Sequence, residues 1–291
     1  MNQNFYKIPS INKGDKVIVG LGDSFTQGVG SWSRKTYKLN GNRINTFKIP
    51  DSIVEEMYRN SWVNQLCENH LPDWKSANLG KMGTGNRAAV KELYLYPNLR
   101  LDLASEVVVI FLLSGIERFD FVNRNFEDAN HFFTMWPNAE DRKSPNKKLW
   151  QIYAKDIWSY QFECIECLLN IKEAESICAA NGYKLVLASA FEQRITKEYF
   201  LEYLGKEHTD LVNSIPWEKV CYPQQNDSFI ELLLRLEGKH ELTGGEFYKH
   251  YFDRKKPSLY ISNCAHPSQT GHKIIAEEFY KHMIDCSIIK T

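Results

Sequence analysis

KVIVGLGDSFTQGVGSW, residues 16–32, passes from an unbroken apolar run, Val17 to Leu21, into Gly22, Asp23 and Ser24. A short aliphatic run that ends in a turn is the pattern of a strand covered on both faces. Gly20 and Gly22 are followed by Asp23, Ser24 and Phe25, so the third glycine of a G-x-G-x-x-G fingerprint is missing, as is the Gly-Lys-Ser/Thr of a P-loop. Nucleotide cradling is therefore disfavoured. A serine directly after a strand stands at the carboxyl edge of a sheet, where glycines allow a tight turn and leave amides open to a ligand. Its hydroxyl needs a neighbouring base to become a nucleophile, and amide donors for the oxyanion that attack creates.

Two more apolar runs, VVVIFLL at 107–113 and KLVLA at 184–188, read as buried strands, with WKSANLG (74–80) and SLYIS (258–262) as weaker ones. Helical patterns lie between them at 55–71, 86–96 and 150–182, the last stopping at Asn181-Gly182, and a further helix closes the chain after Ser268. Strand and helix in alternation predict a single α/β domain over residues 1–291, a flavodoxin-like three-layer α/β/α fold on a mostly parallel five-stranded sheet. Working residues in such sheets lie at the carboxyl ends of the strands. Segments 31–53 and 191–257 break the alternation; polar, aromatic and proline-containing, they read as large insertions that shape a pocket.

Composition narrows the function classes. The 291 residues are 43% hydrophobic, and 36 basic residues balance 36 acidic ones. Duplex nucleic-acid binders carry a basic excess to neutralise phosphates, so no nucleic-acid partner is expected. Seven cysteines, odd in number and irregular in spacing, read as free and mostly buried thiols of a reducing compartment. Cys164 and Cys167 form a CxxC inside a helical pattern with no second pair, so no metal site is expected there. No signal-like apolar core opens the chain and no run of about 20 apolar residues exists, which predicts a cytoplasmic protein with no membrane span.

GDSFTQG, residues 22–28, resembles the first block of the GDSL or SGNH hydrolases. NLGKMGTGN (78–86) looks like their second block, and NCAHPSQTGHKIIAEEF (263–279) like their last, where a His-Pro precedes the terminal helix. A weaker likeness is to SGNH-like proteins of tailed phages, which would make the chain virion-associated. The family resemblance implies Ser24 as nucleophile, His266 as general base, Gly83 as donor of an oxyanion amide and no cofactor. Asn86 either caps the following helix or reaches the site. Asp23 is expected to hold the turn through backbone hydrogen bonds.

Two positions depart from the family pattern. The third block, G-x-N-D, is replaced by SGIERF at 114–119, so Glu117 stands where an asparagine would donate. An ionised carboxylate cannot donate a hydrogen bond, which leaves a protonated Glu117, a donating Arg118 or a rebuilt site. Asn263 stands where the triad aspartate would be. In the serine-protease triad, Asp to Asn costs turnover about 10⁴-fold, while in papain-like enzymes an asparagine only orients the ring. The third member is then Asn263, a backbone carbonyl, or an acid such as Asp253 from the insertion. The expected function is hydrolysis of a short acyl ester, including carbohydrate O-acetyl, through a Ser24–His266 acyl-enzyme. The rival is a catalytically impaired relative that binds a glycan or serves as a structural virion component.

Overall fold

The computed structural model describes residues 9–31, 51–95, 99–122, 132–135, 151–191, 195–224, 228–242, 250–251, 258–262 and 264–290. Four strands form one parallel sheet: β1 (Lys16–Leu21), β2 (Trp74–Asn78), β3 (Glu106–Leu113) and β6 (Lys184–Ser189), in the order β2-β1-β3-β6. β4 (Phe119–Val122) and β5 (Phe132–Met135) make a separate antiparallel pair. The fifth place in the sheet is held by a single parallel bridge from Leu187 to Val220, with the Cys221 amide donating to the Leu187 carbonyl at 2.7 Å. The expected fifth strand is thus reduced to a touch, and SLYIS contributes only the bridge of Ile261 to Pro267.

Alternation along the strands sorts the core into two faces. Val17, Val19, Leu21, Val107, Val109 and Phe111 face one side, packed by helices α4 (Asn86–Leu95), α5 (Tyr160–Asn181) and α6 (Lys197–Leu204). Ile18, Val108, Ile110 and Leu112 face the other, packed by α3 (Trp62–His70), α7 (Phe229–Leu236) and α8 (Gln269–Asp285). Strands buried on both faces need no polar alternation, which is why they read as continuous apolar runs. The order 2-1-3-6, with helices on both faces, is a doubly wound three-layer α/β/α fold.

Three segments differ from the sequence expectation. The pattern at 55–71 is two helices, α2 (Asp51–Asn60) and α3, because Ser61 turns extended (ψ 152°) and accepts from the Asn64 amide while donating to the Tyr58 carbonyl at 2.8 Å. The pattern at 150–182 breaks after a π-helical turn at Tyr153–Ile157, and Ser159 caps α5 afresh; Gly182 ends α5 in the left-handed conformation (φ 70°). Within 191–257 the described residues include α6 and α7, whose Phe200 and Phe229 are wholly buried, so much of this segment is core rather than covering loop. Segment 31–53 lies mostly outside the described residues. No helix among those described is long and apolar enough to cross a membrane.

The Ser61 junction yields a test. Ser61→Ala removes a buried cap and is expected to cost about 1–2 kcal/mol in urea unfolding with an unchanged m-value; a neutral result would mean that the α2–α3 break is set elsewhere.

Candidate active site

β1 ends at Leu21, and α1 (Ser24–Gln27), a single turn of helix, starts beyond the Gly22–Asp23 turn. Asp23 caps α1: its Oδ1 accepts from the Phe25 amide at 2.9 Å. Ser24 is therefore the first helical residue, at the carboxyl edge of the sheet, and is 3% exposed. A loop from the far end of the chain meets it. Gly30 (φ 91°) is where the two approach: a Cβ there would lie 2.6 Å from Ser262 Oγ and 2.9 Å from His266 Cβ, so only glycine fits.

The turn that carries His266 is locked by its own backbone. The His266 carbonyl accepts from the Ser262 amide (2.8 Å) and hydroxyl (3.0 Å), and Ala265 is forced to φ 60°. A non-glycine residue in that region costs about 1–2 kcal/mol, and such strain collects at functional sites. The result is a contact across 242 residues: His266 Nε2 lies 2.9 Å from Ser24 Oγ. His266 Nδ1 lies 2.7 Å from the Cys264 carbonyl. A carbonyl can only accept, so Nδ1 carries the hydrogen and Nε2 is left bare to accept from the serine. Burial alone would lower the imidazole pKa, but Cys264, through thiol and carbonyl, and then the Asp23 carboxylate hold it above its ordinary value. Burial likewise pushes the Cys264 thiol up, yet His266 and the Ser262 hydroxyl, 3.0 Å from the sulfur, bring it below its usual value.

The second block forms the loop beside α1. Asn78 donates to the Thr26 carbonyl (2.7 Å) and accepts from the Gly80 amide (2.9 Å); Gln27 Oε1 accepts from the Met82 amide (2.8 Å). Gly83 has φ 79° in the turn closed by Thr84 N to Lys81 O, and its amide donates to no described residue. At the far end, Asp120 accepts from the amides of Gly85 (2.9 Å) and Ala88 (2.8 Å), fixing the start of α4. Asn86 is spent away from Ser24: Oδ1 accepts from Ser114 N at 2.7 Å, and Nδ2 donates to Ser114 O at 3.3 Å and to Cys167 Sγ at 3.8 Å.

Arg118 is brought onto Asp23. Its Nη1 donates to Asp23 Oδ2 (2.6 Å) and to the Thr84 carbonyl (3.2 Å), and its guanidinium carbon lies 5.0 Å from the Phe191 ring centre. Ser114 Oγ donates to the same carboxylate oxygen at 3.0 Å. Glu117 folds its carboxylate back over Gly115, within 2.8 Å of where a Cβ would stand there. Asn263 and Asp253 lie outside the described residues. Sequence reasoning passed over Ser114 and Phe191, and it allowed for a backbone carbonyl on the ring without locating it at Cys264. Ser114 is the first polar residue after an apolar strand, a usable signal; a backbone acceptor leaves none. Among the described residues no group of three or more His, Cys, Asp or Glu is placed to hold a metal ion.

No family model and no curated protein matches the chain. Among solved structures it aligns with an α/β hydrolase enzyme from the metagenome of Lake Arreo, Spain, at 14% identity over 97% of this chain and 99% of that one, with a TM-score of 0.39. A mutant of a Geobacillus acetyl-xylooligosaccharide esterase aligns at 14% identity over 94% and 96%, TM-score 0.36. A Parabacteroides merdae protein described as a GDSL-like lipase aligns at 16% identity over 94% and 97%, TM-score 0.39. At such scores the chemistry rests on this chain's own side chains.

His272, one turn into α8, is wholly buried, and neither ring nitrogen makes a hydrogen bond with described residues. Burial pushes its pKa down to about 3, against a slight opposing effect of the nearby Val29 backbone. The unfolded chain, with an ordinary histidine, binds the extra proton near pH 6.5, whereas the folded chain binds it only near pH 3. This group's contribution is thus fully present above about pH 6.5 and lost progressively as the pH falls toward 3. His272→Phe is expected to flatten the fall in urea midpoint between pH 7.5 and pH 5; an equally steep fall would show that other groups carry the acid sensitivity.

Proposed function

We propose that the chain is a serine esterase that works through an acyl-enzyme, with Ser24 as nucleophile and His266 as general base. The observation that carries this reading is the 2.9 Å contact between Ser24 Oγ and His266 Nε2, with the opposite ring nitrogen on the Cys264 carbonyl. That carbonyl sets the tautomer, the first task of a triad's third member. His266 takes the serine proton as Oγ attacks the ester carbonyl, and the new C–O bond pushes the carbonyl electrons onto oxygen. The Ser24 and Gly83 amides, which donate to no described residue, are the proposed oxyanion donors. His266 returns the proton to the leaving alcohol as its C–O bond breaks; water, deprotonated by the same ring, then attacks the acyl carbonyl, the acyl–Oγ bond breaks, the ring returns that proton to Ser24, and the acid leaves.

Short acyl esters, O-acetylated carbohydrate among them, are the proposed substrate class. Phe191, held edge-on to Phe25 at 4.3 Å and beneath Arg118, borders the turn with an apolar ring, which suits a small acyl group. Asn86 and Glu117 enter the proposal as supports of the surrounding loops, Asn86 bonded to the Ser114 backbone and Glu117 folded over Gly115.

A fluorophosphonate should add its mass to the wild-type protein and not to Ser24→Ala. With p-nitrophenyl acetate, His266→Ala should lower kcat by about 10²–10⁴-fold, the usual share of a general base. Because the neutral ring is the active form and its pKa is raised, kcat/KM should climb with pH through a midpoint above the ordinary histidine value. Equal rates for His266→Ala and wild type would remove the reading.

A further inference from the structure

Two charged side chains behind the Ser24 turn perform no step of that scheme. Asp23 has no exposed surface and Arg118 is 17% exposed, and they meet at 2.6 Å. A buried ion pair is weak evidence for stability, because desolvation offsets much of the Coulomb gain. Its position, by contrast, is informative. Asp23 immediately precedes the nucleophile, whose hydroxyl touches His266, and Asp23 and Ser24 are both buried, so its charge is weakly screened there. The His266 Nδ1–H faces a neutral carbonyl, which orients the ring and supplies no full negative charge to the imidazolium.

Around the His266 ring, described side chains come from three places. Ser24, Asp23 and the Phe25 ring come from the β1–α1 turn, Cys264 from its own loop, and the uncharged His272 from α8. Of these, Asp23 and an ionised Cys264 bear negative charge. Asp23 is fixed by three donors, the Phe25 amide, the Ser114 hydroxyl and Arg118, so its carboxylate stays in place during the reaction.

We propose that Asp23 and Arg118 together set the basicity of His266, the carboxylate favouring the imidazolium and the guanidinium limiting how much of that charge the ring feels. Both are positioning residues, acting through His266, and the inference rests on the Ser24–His266 reading. The expected signature is a pair of opposite displacements. Asp23→Asn keeps an acceptor for Phe25 and removes the charge, so His266 titrates lower. Arg118→Met leaves the carboxylate uncompensated, so His266 titrates higher.

The test is an NMR titration of the His266 ring proton, assigned by its absence in His266→Gln. It is run on wild type, Asp23→Asn, Arg118→Met and Arg118→Lys, each repeated with Cys264→Ser to remove the thiol. Shifts of about half a pH unit or more are expected, down in Asp23→Asn and up in Arg118→Met, with Arg118→Lys near wild type. The acid limb of kcat/KM on p-nitrophenyl acetate should follow the same order. No movement, or movement in one direction in both variants, at native near-UV circular dichroism would overturn the proposal. Should Asp23→Asn fail to fold, Arg118→Met decides alone: an upward shift supports the proposal and none overturns it. The titration needs no turnover; a wild type without fluorophosphonate adduct or ester hydrolysis would sink the esterase reading and leave the titration result standing.

Discussion

Burying a carboxylate without partners costs several kcal/mol, and Asp23 is buried entirely. The carboxyl edge of the sheet is organised around satisfying it. The Phe25 amide comes from α1, the Ser114 hydroxyl from the end of β3, and the Arg118 guanidinium from the segment leading into β4. The segment after β3, from Ser114 to Arg118, is thereby tied to the residue before Ser24, from which it is distant in sequence. The same Arg118 nitrogen reaches the Thr84 carbonyl, so the loop with Gly83 is held to the same point. Any departure of Asp23 would free the Ser24 turn, the second-block loop and the β4 segment together.

The topology makes this convergence possible. β1 is central, flanked by β2 and β3, so the loops after all three strands open on one edge. The His266 loop reaches that edge from the other end of the chain because α8 packs on the same sheet face as α3, placing Phe279 4.7 Å from Trp62. Gly30 then lets the two loops approach within the width of a missing methyl. The fold supplies the layers, and close backbone contact supplies the last ångströms that a hydrogen bond between Ser24 and His266 requires.

The residues differ in how far their placement could be read in advance. β1, β3 and β6 were legible because double-sided burial writes itself as an apolar run. The α2–α3 break was not, since Asp51–His70 keeps an apolar stripe through Ser61, and only the Ser61 side chain's bonds to Tyr58 and Asn64 mark the boundary. The segment after 191 looked irregular because the fifth strand has shrunk to Val220, leaving no run to find. Ser24 and His266 were legible from the turn chemistry and from the resemblance of three blocks. Arg118 was legible as a cation near the site, yet its partner was not, because Asp23 and Arg118 are 95 residues apart and their pairing depends on strand order. The Cys264 carbonyl belongs to the backbone, which every residue has, so no side-chain pattern announces it.

A dyad oriented by a carbonyl poses a specific chemical problem. A triad aspartate performs two tasks, fixing the tautomer and stabilising the imidazolium that forms as the serine is deprotonated. The Cys264 carbonyl performs the first fully and the second weakly, as a dipole instead of a charge. In the proposed scheme Asp23 performs the second without touching the ring, since a buried charge is screened less than one in water. An unmasked carboxylate there would also oppose the negative charge growing on the substrate oxygen, which the neighbouring amides must stabilise. In the proposed scheme Arg118 moderates that opposition while leaving the carboxylate in place, so the pair would settle a conflict between the two charges of the transition state: positive on His266 and negative on the oxyanion. A lone aspartate would favour the first at the expense of the second; a neutral residue would favour neither. Separating orientation, given to a backbone carbonyl, from charge, given to a compensated carboxylate, would be a workable physical solution for the proposed Ser24–His266 pair.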